Sequence, residues 1–159
     1  MTKTNVLFVC LGNICRSPMA EAMFKKMTAE QGITDYYQIN SVATSSEELG
    51  NPPHPGAQAE MERHHLDYAG HRSRPITAED IAVADYIITM DESNLADLKA
   101  LIPSKEQNKL HLCMDIVPGQ RGVSIVDPWY THRFDQTYHM LQQSLPLWLT
   151  KMEQNRKER

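Results

Sequence analysis

The run from Val6 to Pro18 reads Val-Leu-Phe-Val-Cys-Leu-Gly-Asn-Ile-Cys-Arg-Ser-Pro, and it leaves the chain few ways to fold. Val6 to Val9 is apolar, β-branched and aromatic, and it leads through Cys10 to a Gly-Asn pair, the pattern of a short buried strand. Pro18 suits the first turn of a helix, with Ser17 as the expected N-cap. Met19, Ala20, Met23, Phe24 and Met27 then recur at helical spacing. Cys10 to Arg16 is therefore a strand-to-helix loop at the mouth of a sheet.

A loop curled against a helix N-terminus points several backbone N–H groups at one spot, and the helix dipole adds positive potential there. Both favour an anion. Gly12 and Asn13 tolerate the left-handed backbone that so tight a loop requires. Arg16 offers a planar fork matched to two phosphate oxygens. Cys10 offers a sulfur nucleophile that attacks only as thiolate. Lowering a thiol pKa by about three units takes roughly 4 kcal/mol. A helix dipole contributes about 0.3–1 kcal/mol, so the loop N–H groups, Arg16 and the Ser17 hydroxyl must supply the rest. Leu11, Gly12, Asn13, Ile14, Cys15 and Arg16 form the expected phosphate cradle, with Cys10 at its base. A bare Cys-x5-Arg would equally describe a core cysteine and a surface arginine. Here the strand, the Gly-Asn pair, the serine and the helix start all agree.

At 159 residues, 41% hydrophobic and 23% charged, the chain suits one globular domain over residues 1–159. The net charge of −4 argues against a nucleic-acid partner and leaves anion attraction to the cradle itself. No apolar run approaches membrane-spanning length, and the N-terminal residues show no signal-peptide pattern. Three cysteines make an odd count with no disulfide framework, so a cytoplasmic, reducing setting is expected. His64 and His65 are adjacent and diverge on a helix, and His71 follows without ligand spacing. Neither a metal nor another cofactor is expected.

Strand and helix patterns alternate along the chain. The first helix runs to about Gln31, where Gly32 stops it. Tyr37 to Ala43 reads as a strand, Thr44 to Pro55 as a loop and Gly56 to Tyr68 as a helix. Thr77 caps a short helix, with Asp80 placed for a capping box. Asp85 to Met90 is a third strand. The helix opened by Asp91 to Asn94 carries Leu95, Leu98 and Leu101 on one face. Leu110 to Met114 is a fourth strand carrying Cys113 as a core thiol, and Asp115 to Val126 is a connection. The last helix carries Tyr138, Leu141, Leu145, Trp148, Leu149 and Met152 as one stripe across Pro146, and the charged tail 155–159 is expected to fray. The alternation predicts an α/β fold: a parallel sheet with helices on both faces and the cradle at a strand's C-terminal end.

The unbroken run V-L-F-V-C-L-G-N-I-C-R-S-P-M-A-E from Val6 to Glu21 closely resembles the signature of the low-molecular-weight protein tyrosine phosphatases. Weaker resemblance continues in the family's order. It passes through residues 40–45, Gly50-Asn51-Pro52-Pro53, His71 to Ile76, Met90 to Leu95 and Asp127-Pro128-Trp129-Tyr130. The resemblance implies a three-layer α/β/α fold on a four-stranded parallel sheet of order 2-1-3-4. It implies a phosphocysteine formed on Cys10, oxygens held by Arg16, and Asp127 as general acid and then base. It implies supporting roles for Ser17, Ser41, His71, Arg74 and Asn94, the last bonded to Asn13. It also implies a substrate rim of Glu47, Glu48, Trp129 and Tyr130, and a reversible disulfide between Cys10 and Cys15. Partners would be tyrosine-phosphorylated proteins or peptides, with phosphate as product, acting as monomer or weak dimer. The reaction needs Asp127 protonated while Cys10 is ionised, which predicts an acidic optimum.

Plainer readings stay open beside these. Ser41 fits a solvent-facing strand position, His71 a surface histidine, Cys15 a small loop filler, and Asp127-Pro128 a simple turn. Trp129 and Tyr130 also fit hydrophobic closure of a loop. Glu47 and Glu48 depart from the family, whose members often carry an aromatic or other substrate-facing residue there. They fit either a solvated loop or a wall favouring basic substrates. Thr131-His132-Arg133 also departs from the family pattern and fits either a crevice rim or a helix cap. Three rival functions remain. A protein arginine phosphatase on the same fold tends to carry Thr where this chain has Ile14. A thiol-linked arsenate reductase needs two downstream redox cysteines, and only Cys113 lies downstream. A non-catalytic phosphopeptide-binding module needs neither a nucleophile nor an acid.

Overall fold

A computed structural model describes residues 2–158. Four strands, β1 (Thr4–Cys10), β2 (Tyr37–Ala43), β3 (Tyr86–Thr89) and β4 (Leu110–Leu112), form one sheet in the order β2-β1-β3-β4. All three pairings are parallel, with Cys10 opposite Ala43 and Val9 opposite Thr89. The crossovers carry α1 (Arg16–Glu30), α2 (Pro55–Arg63), α3 (Ala78–Val83) and α4 (Glu92–Leu101). A one-turn α5 (Pro128–Thr131) and the long α6 (Phe134–Lys157) follow β4.

The period of two along β1 divides the core. Val6, Phe8 and Cys10 pack on one face with Met19, Met23 and Phe24 of α1 and Leu141, Leu145 and Trp148 of α6. Leu7 and Val9 pack on the other face with Ile81, Leu98 and Ile102 around α3 and α4. The central strand is buried along both faces, as an apolar run in a covered parallel sheet must be. That burial holds Cys10 rigidly at the strand's C-terminal end.

Several boundaries differ from the sequence expectation for local reasons. Ser17 is not an N-cap: α1 begins at Arg16, Cys15 occupies the cap position, and no side chain caps it. The helix expected to reach Tyr68 stops at Arg63. His65 turns left-handed at φ 59°, and the Leu66 N–H returns to the Met61 carbonyl. The fourth strand ends at Leu112, and Cys113 to Ile116 winds into a 3-10 turn. Leu101 is 58% exposed; α4 ends there, and Ile102 beyond it points into the core instead. The tail does not fray from residue 155, since α6 continues to Lys157. Arg159 and Met1 lie outside the described residues. The capping box at Thr77 and Asp80 forms as expected, and α6 runs on across Pro146. No helix among the described residues is long and apolar enough to cross a membrane.

Candidate active site

Past Cys10 the chain turns tightly before α1 begins, and the turn walls a cavity of about 150 Å³. Cys10, Leu11, Gly12, Ile14, Cys15 and Arg16 line its floor. Ser45, Glu47 and Glu48 line one side, and Asp127, Trp129 and Tyr130 the other. The wall residues come from the β2–α2 loop and from α5, so three distant segments meet over one strand end.

Asn13 is the residue that shapes the floor. It is fully buried and left-handed at φ 58°, a conformation asparagine tolerates better than most side chains. Its amide nitrogen donates to Ser17 Oγ at 2.8 Å and to Ser41 Oγ at 3.0 Å. Its side-chain oxygen accepts the Arg74 backbone N–H at 3.3 Å. Its backbone N–H points at Cys10 Sγ at 3.2 Å. Ser17 Oγ, which accepts from Asn13, lies 3.0 Å from Cys10 Sγ and is placed to share a proton with it. A backbone N–H and a hydroxyl thus lie within 3.2 Å of the sulfur. No side chain caps α1, so its first-turn N–H groups have no side-chain acceptor.

Arg16 is 1% exposed, and its position is set from behind. Nη1 donates to Asp91 Oδ2 at 2.6 Å and to the Ile125 carbonyl at 2.8 Å, while Nη2 lies 3.5 Å from Asp127 Oδ2. Nε is buried and has no protein partner. Burial opposes the guanidinium charge, but Cys10, Asp91 and Asp127 hold it protonated above the ordinary arginine value. The fork is therefore fixed on one edge and retains donor capacity on the other, which is the arrangement for gripping an oxyanion.

Residues 5–158 match the sequence profile of the family described as low molecular weight phosphotyrosine protein phosphatase. The human protein of that name is 43% identical over 137 residues, covering 82% of this chain and 83% of its own. The chain belongs to the low molecular weight phosphotyrosine protein phosphatase family. Among solved structures, YfkJ from Bacillus subtilis superposes with a TM-score of 0.94 at 32% identity, covering 98% of both chains. A Drosophila arginine phosphatase superposes with a TM-score of 0.84 at 31% identity, over 92% of this chain and 96% of its own.

Against the support roles that family resemblance implied, the geometry divides them. Ser41 sits behind the loop, accepting from Asn13 and donating to Glu21 Oε1 at 2.6 Å. His71 Nε2 lies 2.9 Å from the Asn13 carbonyl. Arg74 touches the loop only through its backbone N–H; its guanidinium forms a fork with Asp80 at 2.8 and 2.9 Å. Asn94 does not reach Asn13, whose carboxamide is already taken by Ser17, Ser41 and Arg74. It closes a capping box with Asp91 instead, and so steadies the carboxylate that holds Arg16.

Four contributors escaped the sequence reading. Asp91 looked like a helix cap, which it also is. Glu21 lies inside the signature run but anchors Ser41. The Ser73 hydroxyl donates to the Gly12 carbonyl at 2.7 Å, and the His54 backbone N–H donates to the Ile14 carbonyl at 2.8 Å.

Cys15 lies in the floor beside Cys10, and all three cysteines are free and buried. Burial, reinforced by Cys10 and Asp127, raises the Cys15 thiol far above the ordinary cysteine value, so it stays protonated. Arg133 and Asp135 pair with each other at 2.9 Å, so neither lines the cavity. Among the described residues, no cluster of three or more His, Cys, Asp or Glu side chains is placed to hold a metal.

Proposed function

We propose that this chain is a phosphotyrosine-protein phosphatase working through a phosphocysteine. The observation that carries the reading is the meeting of Cys10, Arg16 and Asp127 in one cavity, with Ser17 Oγ 3.0 Å from the sulfur. Cys10 Sγ attacks phosphorus, forming an S–P bond as the P–O bond to the phenol breaks. The departing oxygen takes the electron pair and a proton from Asp127. Arg16 and the loop N–H groups hold the equatorial oxygens through both steps. Asp127, now a carboxylate, takes a proton from water as its oxygen attacks phosphorus. The S–P bond breaks and phosphate leaves.

Trp129 and Tyr130, 50% and 75% exposed at the mouth, supply flat walls for an aromatic ring. Ile14 presents apolar surface to the same cavity and offers no hydroxyl to a phosphoguanidinium. These two features favour phosphotyrosine over phosphoarginine. The likeness to the Drosophila arginine phosphatase keeps the second substrate as the competing reading. Three free thiols suit a reducing compartment such as the cytoplasm.

The test is turnover of phosphotyrosine, phosphoserine and phosphoarginine peptides by the protein and by Cys10→Ser. Release of phosphate from phosphotyrosine, lost in Cys10→Ser, is the expected result. Turnover persisting in Cys10→Ser overturns the mechanism, and a preference for phosphoarginine overturns the substrate assignment.

A further inference from the structure

We propose that His54 is a positioning residue that couples the Asp127 loop to the phosphate-binding loop, so that acid and nucleophile stay in mutual alignment. This rests on Asp127 being the proton donor. Asp127 caps α5, a single turn of four residues in which only Pro128 is buried. The backbone bonds of that turn are local: the Tyr130 N–H to the Asp127 carbonyl and the His132 N–H to the Pro128 carbonyl. A turn so lightly attached needs a tether if its carboxyl is to meet the leaving oxygen, since small misplacements of a catalytic group cost large factors in rate.

The His54 ring supplies that tether. It meets the Trp129 ring edge-on at a centroid distance of 5.5 Å and 79°. Among the described residues it is the one ring paired with Trp129. The Trp129 backbone N–H in turn donates to Asp127 Oδ1 at 3.1 Å. Behind His54, the Phe134 ring stacks at 5.2 Å and 23°. Phe134 lies so close to the start of α2 that a Cβ on Gly56 would fall 2.2 Å from it.

The other end of the tether is the phosphate loop. The His54 N–H donates to the Ile14 carbonyl at 2.8 Å, and His54 Nδ1 accepts the Gly56 N–H at 2.9 Å. Pro53 and Pro55 flank His54 and stiffen its backbone. His54 does not line the cavity, so its effect passes through Trp129 and not through substrate.

Ring and cap are separable by substitution. His54→Asn keeps an acceptor for the Gly56 N–H and removes the ring. His54→Phe keeps a ring and removes the acceptor. A positioning role predicts that His54→Asn lowers kcat/KM for a phosphotyrosine peptide by about tenfold. For 2,4-dinitrophenyl phosphate, whose leaving group departs without a proton, the fall is about twofold at most. His54→Phe restores phosphotyrosine turnover to within about threefold. In an Asp127→Asn background, adding His54→Asn costs less than about twofold, because the group it positions is gone. His54→Gln serves as a second ring-free variant, with melting midpoints recorded for each. Equal losses on both esters, no loss on either, an undiminished loss in the Asp127→Asn background, or failure of a folded His54→Phe to restore turnover would overturn the proposal. Asp127→Asn alone losing equally on both esters would instead overturn the acid assignment, and this proposal with it.

Discussion

Asp127 Oδ2 lies 3.5 Å from Arg16 Nη2, so the carboxyl of a loop near the C-terminal end faces the guanidinium that starts the first helix. The other edge of Arg16 is held by Asp91 and the Ile125 carbonyl. One side chain therefore registers the phosphate loop against two later connections of the sheet. Asp127→Asn retains much of this geometry and removes the transferable proton. We expect kcat/KM for phosphotyrosine peptides to fall by about 10²–10⁴-fold, with the alkaline limb of the pH profile flattened and inorganic phosphate still competing. Steady-state kinetics from pH 4 to 8 check this.

Asn13 combines a left-handed backbone with three side-chain hydrogen bonds. Asn13→Ala loses the bonds and strains the backbone, whereas Asn13→Gly loses the bonds alone. The glycine variant is therefore expected to melt higher than the alanine variant, by a margin worth about 1 kcal/mol. Both should bind phosphate more weakly than the parent, since neither orients the Ser17 hydroxyl. Thermal denaturation with and without phosphate distinguishes the two contributions.

Glu47 and Glu48 line the crevice with no cation paired to either among the described residues, although Glu48 accepts from the Asn51 side chain at 2.7 Å. Their charge should favour phosphotyrosine peptides with basic flanking residues over acidic ones by several-fold. Replacing both with glutamine is expected to shrink that ratio toward one, as is raising the salt to about 0.5 M. A ratio unaffected by either change would mean that the loop is only a solvated wall.

Glu153 joins the start of β2 to the end of α6. It accepts from Tyr37 Oη at 2.6 Å and from Arg156 at 2.7 and 2.8 Å. The Arg156 hydrogen bond, opposed by burial and aided by Tyr37, holds its carboxyl down at about 2, against an ordinary 4.5. A depressed carboxylate contributes stability above its unfolded value and loses it as pH falls through the folded one. Glu153→Gln should thus melt below the parent at pH 7. The gap should narrow as pH drops from about 4.5 toward 2. A constant gap across that window would show that the carboxylate's charge is not what stabilises the joint.

Much of the architecture follows from patterns that neighbouring residues carry. The apolar Val6 to Val9, the Gly-Asn pair and Pro18 specify strand, loop and helix within one short stretch. The parallel sheet follows because helices separate its strands. The errors lie where local preference was overruled. Ser17 has the chemistry of a cap, yet its hydroxyl is drawn to Cys10 and Asn13. Leu101 has helical spacing, yet α4 ends there and Ile102 is buried instead.

Asp127 was legible from its Pro-aromatic-Tyr context, and Cys10 and Arg16 from theirs. The frame around them was not. Asp91, Ser73, Glu21 and His54 act through hydrogen bonds or ring contacts to residues 20 or more positions away. No periodicity marks such pairs, because a side chain's partner depends on how helices pack on the sheet and not on its neighbours in sequence. The chain's own order of residues thus specifies Cys10, the loop that follows it and the sheet beneath them. The packing of α1, α2, α5 and the β-strand ends selects the groups that hold Arg16 still, set Ser17 beside Cys10 and bring Asp127 to the same cavity. That selection rests on burial and directional hydrogen bonds, which exist only once distant segments have met.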